Sequence, residues 1–403
     1  MIVSGIILAL TLLVFALGKS PVFRVDRAGV AIIGGALTIA TGVLSFNEAA
    51  QAIDYRTIVL LFSMMIVTAS LKTSGFFRLV GNYIIRTIKT GKGLLFWIIM
   101  TSGLLSAFFI NDIVCLLFTP IVLLICKKRG ITPIPFLIGV ATASNVGSAG
   151  TLLGNPQNIL IGSISQIPFL TYFTIAFPLA LAGLLINYFV VGWIYKDQLK
   201  VELTSGQPMK KGCHSYLIGK SLIVTLLILA GFLLGKEPAV IASLGAAYLL
   251  VTRRLKPSKI YAGIDFNLLV MFGGLFVIIG GVEHSGLMNR IMDIIGGGNF
   301  SVFSLVTIAL SNVFSNVPAV MLLKSYIPVS GGIVWWTGLG VFSTFAGNLT
   351  VTGSIANLIV IETAKREGVN LSYREYLRVG LPLTILLTLL GLAYFAVFST
   401  RTF

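Results

Sequence analysis

Gly147-Ser-Ala-Gly-Thr-Leu-Leu-Gly-Asn-Pro156 interrupts an apolar stretch that otherwise runs over 134–166. Glycines, hydroxyls, an amide and a proline stand where aliphatic side chains would continue a membrane span. A second stretch, Gly347-Asn-Leu-Thr-Val-Thr-Gly-Ser354, interrupts 334–364 in the same way. Irregular backbone survives in hydrocarbon only where it lines a cavity or is buried in protein. Each break therefore predicts a discontinuous helix, with free N–H groups on one half and free C=O groups on the other. Corresponding broken spans in two halves of a chain point to a transporter binding site near the midplane.

The surrounding sequence supports a membrane setting. Of 403 residues, 56% are hydrophobic and 10% charged, with a mean hydropathy of +0.99. Soluble domains carry about 25% charged residues, so a water-soluble enzyme is excluded. The apolar residues recur in blocks of about 17–20, enough to cross about 30 Å of hydrocarbon. Residues 1–18 are apolar from the start, without a basic leader or a small-residue cleavage site, and read as a first span.

The two breaks belong to a longer internal repeat. Leu17-Gly-Lys-Ser-Pro21 matches Leu234-Gly-Lys-Glu-Pro238. Ile53-Asp54-Tyr55 and Ser74-Gly75 match Ile264-Asp265-Phe266 and Ser285-Gly286, each 211 residues on. Ser106 and Asn111 match Ser311 and Asn316, and Pro178-Leu matches Pro382-Leu. Thr151, Gly154 and Asn158 match Thr350, Gly353 and Asn357. The repeats are expected over 1–195 and 216–403, joined by a solvated cytoplasmic linker over 196–215.

Each repeat is expected to hold five spans and one re-entrant hairpin. The spans are 2–18, 28–45, 57–72, 134–166 and 173–194, then 217–235, 238–252, 267–283, 334–364 and 380–398. Stretches 76–90 and 287–295 read as amphipathic interfacial pieces. The hairpin arms flank Asn111-Asp112 and Ser315-Asn316. At 1.5 Å per residue the first pair are marginal for a crossing, and Lys92 and Lys127-Lys128-Arg129 suit a return to one side. An odd number of spans inverts the second repeat. This all-α polytopic arrangement puts 24 of the 29 Lys and Arg residues on one face. The positive-inside rule makes that face cytoplasmic and both termini periplasmic or extracellular. The net charge of +16 is then a topological signal, not a nucleic-acid surface. Arg27 counts among those flanking charges, and no cation is placed at the site.

Asp112 is the most informative acid, because ionisable residues inside a membrane usually serve function. It is a candidate for proton coupling; the plainer alternative is a helix N-cap. Its repeat position is Val317, so the tips differ. Asp54 and Asp265 read as N-caps, and Glu283, His284 and Glu362 as boundary residues. Cys115, one turn below the tip, reads as a small apolar filler. No metal or cofactor site is indicated, and no nucleophile–base pair or HExxH or GxSxG motif supports an intramembrane enzyme.

Four segments together resemble a known family. They are Ser106-Ala-Phe-Phe-Ile-Asn-Asp112, Ala143-Ser-Asn-Val-Gly-Ser-Ala-Gly-Thr-Leu-Leu-Gly-Asn-Pro-Gln-Asn158, Ser311-Asn-Val-Phe-Ser-Asn-Val-Pro318 and Gly347-Asn-Leu-Thr-Val-Thr-Gly-Ser-Ile-Ala-Asn357. They look like the arsenite/antimonite efflux permeases of the ion transporter superfamily. The resemblance covers nearly the whole chain. It implies inverted repeats, two hairpins, and a site between hairpin tips and broken helices. It implies substrate contacts from Asn111, Asn145, Thr151, Gly154, Asn155, Asn158, Asn316, Asn348, Thr350, Gly353, Ser354 and Asn357, with Asp112 as the proton-coupling group. The implied activity is export of arsenous and antimonous acid across the cell (inner) membrane by proton antiport. A small-anion, dicarboxylate or sodium/proton carrier of the same superfamily is the alternative. The expected partners are the bilayer, the metalloid acid and protons. A soluble ATPase subunit stays open, and nucleic acid is not expected.

Overall fold

The computed structural model describes residues 1–20, 22–203, 214–252, 254, 256–288, 290, 299–328 and 332–399; side chains of 398–399 are not described. Among these residues the fold is a helical polytopic membrane architecture. Six helices are long and apolar enough to span a bilayer, and six shorter apolar ones accompany them. Two isolated bridges are the extended pairings present among the described residues.

The first repeat opens with α1 (Ile2–Leu17), α2 (Arg27–Ala40), a short α3 (Phe46–Ala52) and α4 (Tyr55–Ser74). The span expected over 28–45 is therefore cut short. Helix α2 stops at Ala40, and Ser45 starts α3 with a capping box: its hydroxyl accepts from Glu48 N while Glu48 accepts from Ser45 N. The surface piece α5 (Phe76–Thr87) precedes the first hairpin, α6 (Gly91–Phe108) and α7 (Asn111–Arg129). The broken span follows as α8 (Ile134–Ser148) and α9 (Pro156–Ser165), and α10 (Phe169–Ile194) closes the repeat.

The second repeat retraces this order. It contains α11 (Ser215–Leu233), α12 (Pro238–Leu250), a short α13 (Pro257–Tyr261) and α14 (Phe266–His284). Its hairpin is α15 (Phe300–Phe314) and α16 (Asn316–Leu323), the second arm finishing in a 3-10 turn at Lys324–Tyr326. The second broken span is α17 (Gly332–Ala346) and α18 (Ile355–Arg366), and the last helix is α19 (Tyr373–Ser399). That helix begins seven residues earlier than the expected 380. The interfacial piece expected over 287–295 falls mostly outside the described residues.

The linker departs from its expected character at its start. Gly91 N donates to Val201 O at 3.0 Å and Leu203 N to Lys89 O at 2.8 Å. Leu199 and Leu203 are buried. Residues 199–203 thus pack on the first hairpin instead of lying free in solvent, because two leucines there find an apolar seat. Residues 204–213 lie outside the described set.

Close helix approach positions the site. In lipid, apolar burial gives little drive between helices, and small residues let backbones meet. Gly147 of α8 abuts the backbone of Gly103 in α6, with no room for a Cβ. Gly274 of α14 meets the backbone of Ala31 in α2 in the same way. Helix α8 is buried around its whole circumference from Pro135 to Ser148, as a helix at the centre of a bundle must be. Helices α10 and α19 pack on α8 and α17 respectively and on each other. Their internal prolines, Pro178 and Pro382, occupy repeat-related positions.

Candidate functional site

The two helix breaks and two hairpin tips meet. The backbone N–H of Asn111, the first residue of α7, donates to Gly154 O in the first break at 2.9 Å. Thr151 Oγ1 reaches back to donate to Ala107 O in the other hairpin arm. The first hairpin therefore ends at the depth of the broken helix, as a re-entrant element does. Gly154 is packed on the backbone of Ser148, where a Cβ would not fit.

Asn145 is the hub of this meeting. Its Oδ1 accepts from Asn111 Nδ2 at 3.2 Å and Ser354 Oγ at 2.9 Å. Its Nδ2 donates to Asn348 Oδ1 at 3.2 Å and Asn357 Oδ1 at 3.0 Å. One side chain thus uses all four hydrogen-bonding positions to join both repeats.

Asn158 and Asn357 perform matching tasks. Asn158 Nδ2 donates to Ser148 O and Thr151 O, at 3.1 and 2.9 Å. Asn357 Nδ2 donates to Gly347 O and Thr350 O, at 2.7 and 3.0 Å. Each amide satisfies carbonyls released where its helix breaks. Asn155 caps α9 by accepting from Asn158 N at 2.9 Å, and its Nδ2 donates to Ser148 Oγ and Thr344 Oγ1. Ser354 caps α18 by accepting from Ala356 N at 3.2 Å. The amides and hydroxyls read as site residues are therefore largely engaged in holding the breaks open. Thr350 faces Thr352, 3.3 Å between hydroxyl oxygens, and Gly353 lies beside Asn312 Oδ1.

A smaller set remains uncommitted. The Oδ1 atoms of Asn111, Asn316 and Asn158 are buried without a hydrogen-bond partner among the described residues, as is Nδ2 of Asn348; Asn158 lies off the tip cavity. Asn111, Asp112, Gln157, Ser315, Asn316 and Ser354 line one cavity, with about 30 Å³ open to water centres. No hydrogen bond or ion pair among the described residues engages the Asp112 carboxylate. It does not cap α7: Asn111 begins that helix, Ile110 precedes it, and no side chain caps the end. The N-cap alternative for Asp112 is thereby removed. Asp54 and Asp265 do cap, with Asp54 accepting from Arg56 N and Thr57 N and Asp265 from Leu268 N.

Arg27 lines the same cavity, and its Nε is buried with no partner among the described residues. Counting charges along the chain leaves it on a flank; the structure corrects that. It is the first residue of α2, and the tight α2–α14 crossing carries it to the cavity wall formed by Phe15, Leu268 and Met271. Linear spacing holds no signal for this placement beyond the glycines Gly34, Gly35 and Gly274 that let the helices approach.

The tips also differ in backbone. Ser315 has φ 78° and ψ 158°, a region otherwise reserved for glycine. The first tip, at Phe109 and Ile110, is extended and unstrained. Below it, Cys115 Sγ donates to Ser144 Oγ at 2.9 Å and is fully buried, a filler as expected.

A second cavity, of about 360 Å³, uses repeat-related walls. Phe232 and Leu60 line it where their counterparts Phe15 and Met271 line the first. Arg56 and Glu237, 3.5 Å apart, also line it.

The citrate transporter family, CitMHS, matches residues 10–337. The chain belongs to this family. It is a membrane transporter of the ion transporter superfamily, a broader assignment than the arsenite branch that its motifs resemble. This transporter is 27% identical to the silicon efflux transporter LSI3 of Oryza sativa subsp. japonica, over 92% of this chain and 93% of that one. It is 28% identical to a 46 kDa membrane protein of Mycobacterium leprae, over 94% and 96%. A putative transporter arsB of Dictyostelium discoideum is 23% identical, over 91% and 86%. Among solved structures, the YdaH transporter of Alcanivorax borkumensis, described as having an unusual topology, superposes with a TM-score of 0.58. The match covers 99% of this chain and 97% of that one, at 14% identity, and so bears on fold alone.

Proposed function

We propose that this transporter exports a small metalloid hydroxide, arsenous or antimonous acid, from the cytoplasm in exchange for protons. The observation that carries the reading is the set of uncommitted acceptors on one small cavity: Asn111 Oδ1, Asn316 Oδ1 and the Asp112 carboxylate. A trihydroxide brings three O–H donors and no net charge. It satisfies these three acceptors, two of them buried, without the cost of burying an ion. The cavity volume fits this solute. One water needs about 10–15 Å³ in this measure, so about 30 Å³ holds a solute of a few heavy atoms. A tricarboxylate would require the tips to part.

Coupling follows from the same acceptors. An ionised Asp112 accepts a solute hydroxyl; a protonated one presents its own O–H and loses acceptor capacity. Proton and solute therefore compete, which is the requirement for antiport. Two unequal cavities beside the first break suit alternating access: Leu152 and Leu153 of the break line the larger one, and Pro156 lines the smaller. The charge asymmetry supports a cytoplasmic linker and outside termini, and the bilayer of the cell (inner) membrane as the setting. Nothing among the described residues marks a docking surface for an ATPase.

Arg27 favours a second reading, a small carboxylate or other anion, in keeping with the family's description. Expression in a host lacking metalloid efflux separates the two. Resistance to arsenite and antimonite is expected. Carboxylate uptake without resistance would establish the second reading in its place.

A further inference from the structure

We propose that Arg27 is a ligand-binding residue of the tip cavity, and that it makes the cavity selective for oxyacids over neutral polyols of similar size. The inference rests on the metalloid reading for its choice of probes, but its logic holds for any small oxyacid. The acceptors already described recognise hydroxyl donors and do not distinguish an acid from an alcohol. A guanidinium supplies the missing discrimination. It donates a charge-assisted hydrogen bond to a solute oxygen, strengthened where that oxygen carries or develops negative charge.

Three observations place Arg27 in this role. It lines the cavity together with Asn111, Asp112 and Asn316. Its Nε is buried and unpaired among the described residues, a costly state for a charged donor unless a ligand repays it. And no salt bridge among the described residues neutralises it: the recorded pairs join Arg56 to Glu237, Lys200 to Asp197, Glu48 to His284 and Lys324 to Glu283. The acid on the cavity wall is Asp112 at the first tip, while Asp265 is engaged in capping α14 through Leu268 N. Asp26, the residue before Arg27, is spent on capping α2 through Gly29 N at 2.8 Å. Arg27 and ionised Asp112 together leave the cavity near neutrality. An oxyacid then bridges them, its oxygen accepting from Arg27 and its hydroxyl donating to Asp112. A polyol makes the second contact but profits less from the first.

The test is ligand-induced thermal stabilisation of the purified full-length chain in detergent, with arsenite, antimonite, silicate and acetate as oxyacid probes and glycerol as the polyol. A ligand that binds only the folded form raises the melting temperature. The wild type is expected to be stabilised by at least one oxyacid and not by glycerol at equal concentration. Arg27→Gln should weaken oxyacid binding at least tenfold while melting normally without ligand, and Arg27→Lys should recover part of it. Equal oxyacid affinity in Arg27→Gln and wild type would overturn the assignment, as would absence of stabilisation by every oxyacid. Stabilisation by acetate alone, lost in Arg27→Gln, would sustain the role of Arg27 while removing the metalloid reading. If Arg27→Gln does not fold, Arg27→Lys carries the test: an unchanged ratio of oxyacid to glycerol affinity together with unchanged oxyacid affinity overturns it.

Discussion

At the scale of single residues, the site's asparagines divide by whether their amides are already in use. Asn145 makes four hydrogen bonds across the repeats, and Asn158 and Asn357 each hold two carbonyls at a helix break. Replacing any of them with alanine strands buried partners, at about 1–3 kcal/mol for each group left unsatisfied. Asn111 and Asn316 retain free acceptors on the tip cavity, whereas the free Oδ1 of Asn158 lies off it. We expect Asn145→Ala and Asn357→Ala to lower the melting temperature sharply. Asn316→Ala should melt near wild type but raise KM for the solute several-fold. Melting curves and uptake kinetics on the same preparations check this; a normal melt for Asn145→Ala would refute the hub role. The residue types at the site were legible in the sequence, since amides and glycines in apolar spans are conspicuous. Which amides are satisfied was not, because that depends on partners about 200 residues away, such as Asn348 and Asn357 for Asn145. The place of Arg27 was hidden for the same reason.

At the scale of elements, the two hairpins are unequal in length, chemistry and strain. The second arm of the second hairpin is the eight-residue α16, entered through Ser315 at positive φ. Such a conformation costs about 1–3 kcal/mol in a non-glycine residue. Ser315→Gly should therefore raise thermal stability, and by relaxing the tip it should slow transport. A stability unchanged or lowered by the substitution would argue against strain at this tip. The breaks themselves were readable from glycine and hydroxyl content. The early end of α2 was not, because Ala40 to Ser45 remain apolar enough to pass for span. Its cause lies in the capping box of α3. There the Ser45 backbone N–H, and then its hydroxyl, hold the Glu48 carboxyl below the ordinary value of 4.5, with His284 a lesser influence. A folded pKa below the unfolded one stabilises above the unfolded value and loses that contribution as pH falls through the folded value. Glu48→Gln should accordingly flatten the melting temperature below pH 5. The wild type should lose stability there more steeply, and parallel curves would show that the box does not contribute.

At the scale of the whole molecule, a repeat read from a few collinear landmarks became two matching sets of helices, hairpins and breaks. Each repeat buries its broken span at the centre. The segment that joins them is more engaged than its polarity suggests, since Leu199 and Leu203 seat on the first hairpin. Orientation rests on the charge asymmetry. Single cysteines at Lys128 and at Lys236 should be labelled by impermeant reagents from opposite sides, with Lys128 reached only from the cytoplasm. Labelling of both from one side would overturn the inverted arrangement.

The most direct test of proton-coupled metalloid export uses everted membrane vesicles acidified inside. Arsenite and antimonite should accumulate in the lumen, and a protonophore should abolish the accumulation. In Asp112→Asn the gradient-driven component should vanish while equilibrative exchange survives. Accumulation of a carboxylate in place of the metalloids, or undiminished gradient-driven uptake by Asp112→Asn, would contradict it.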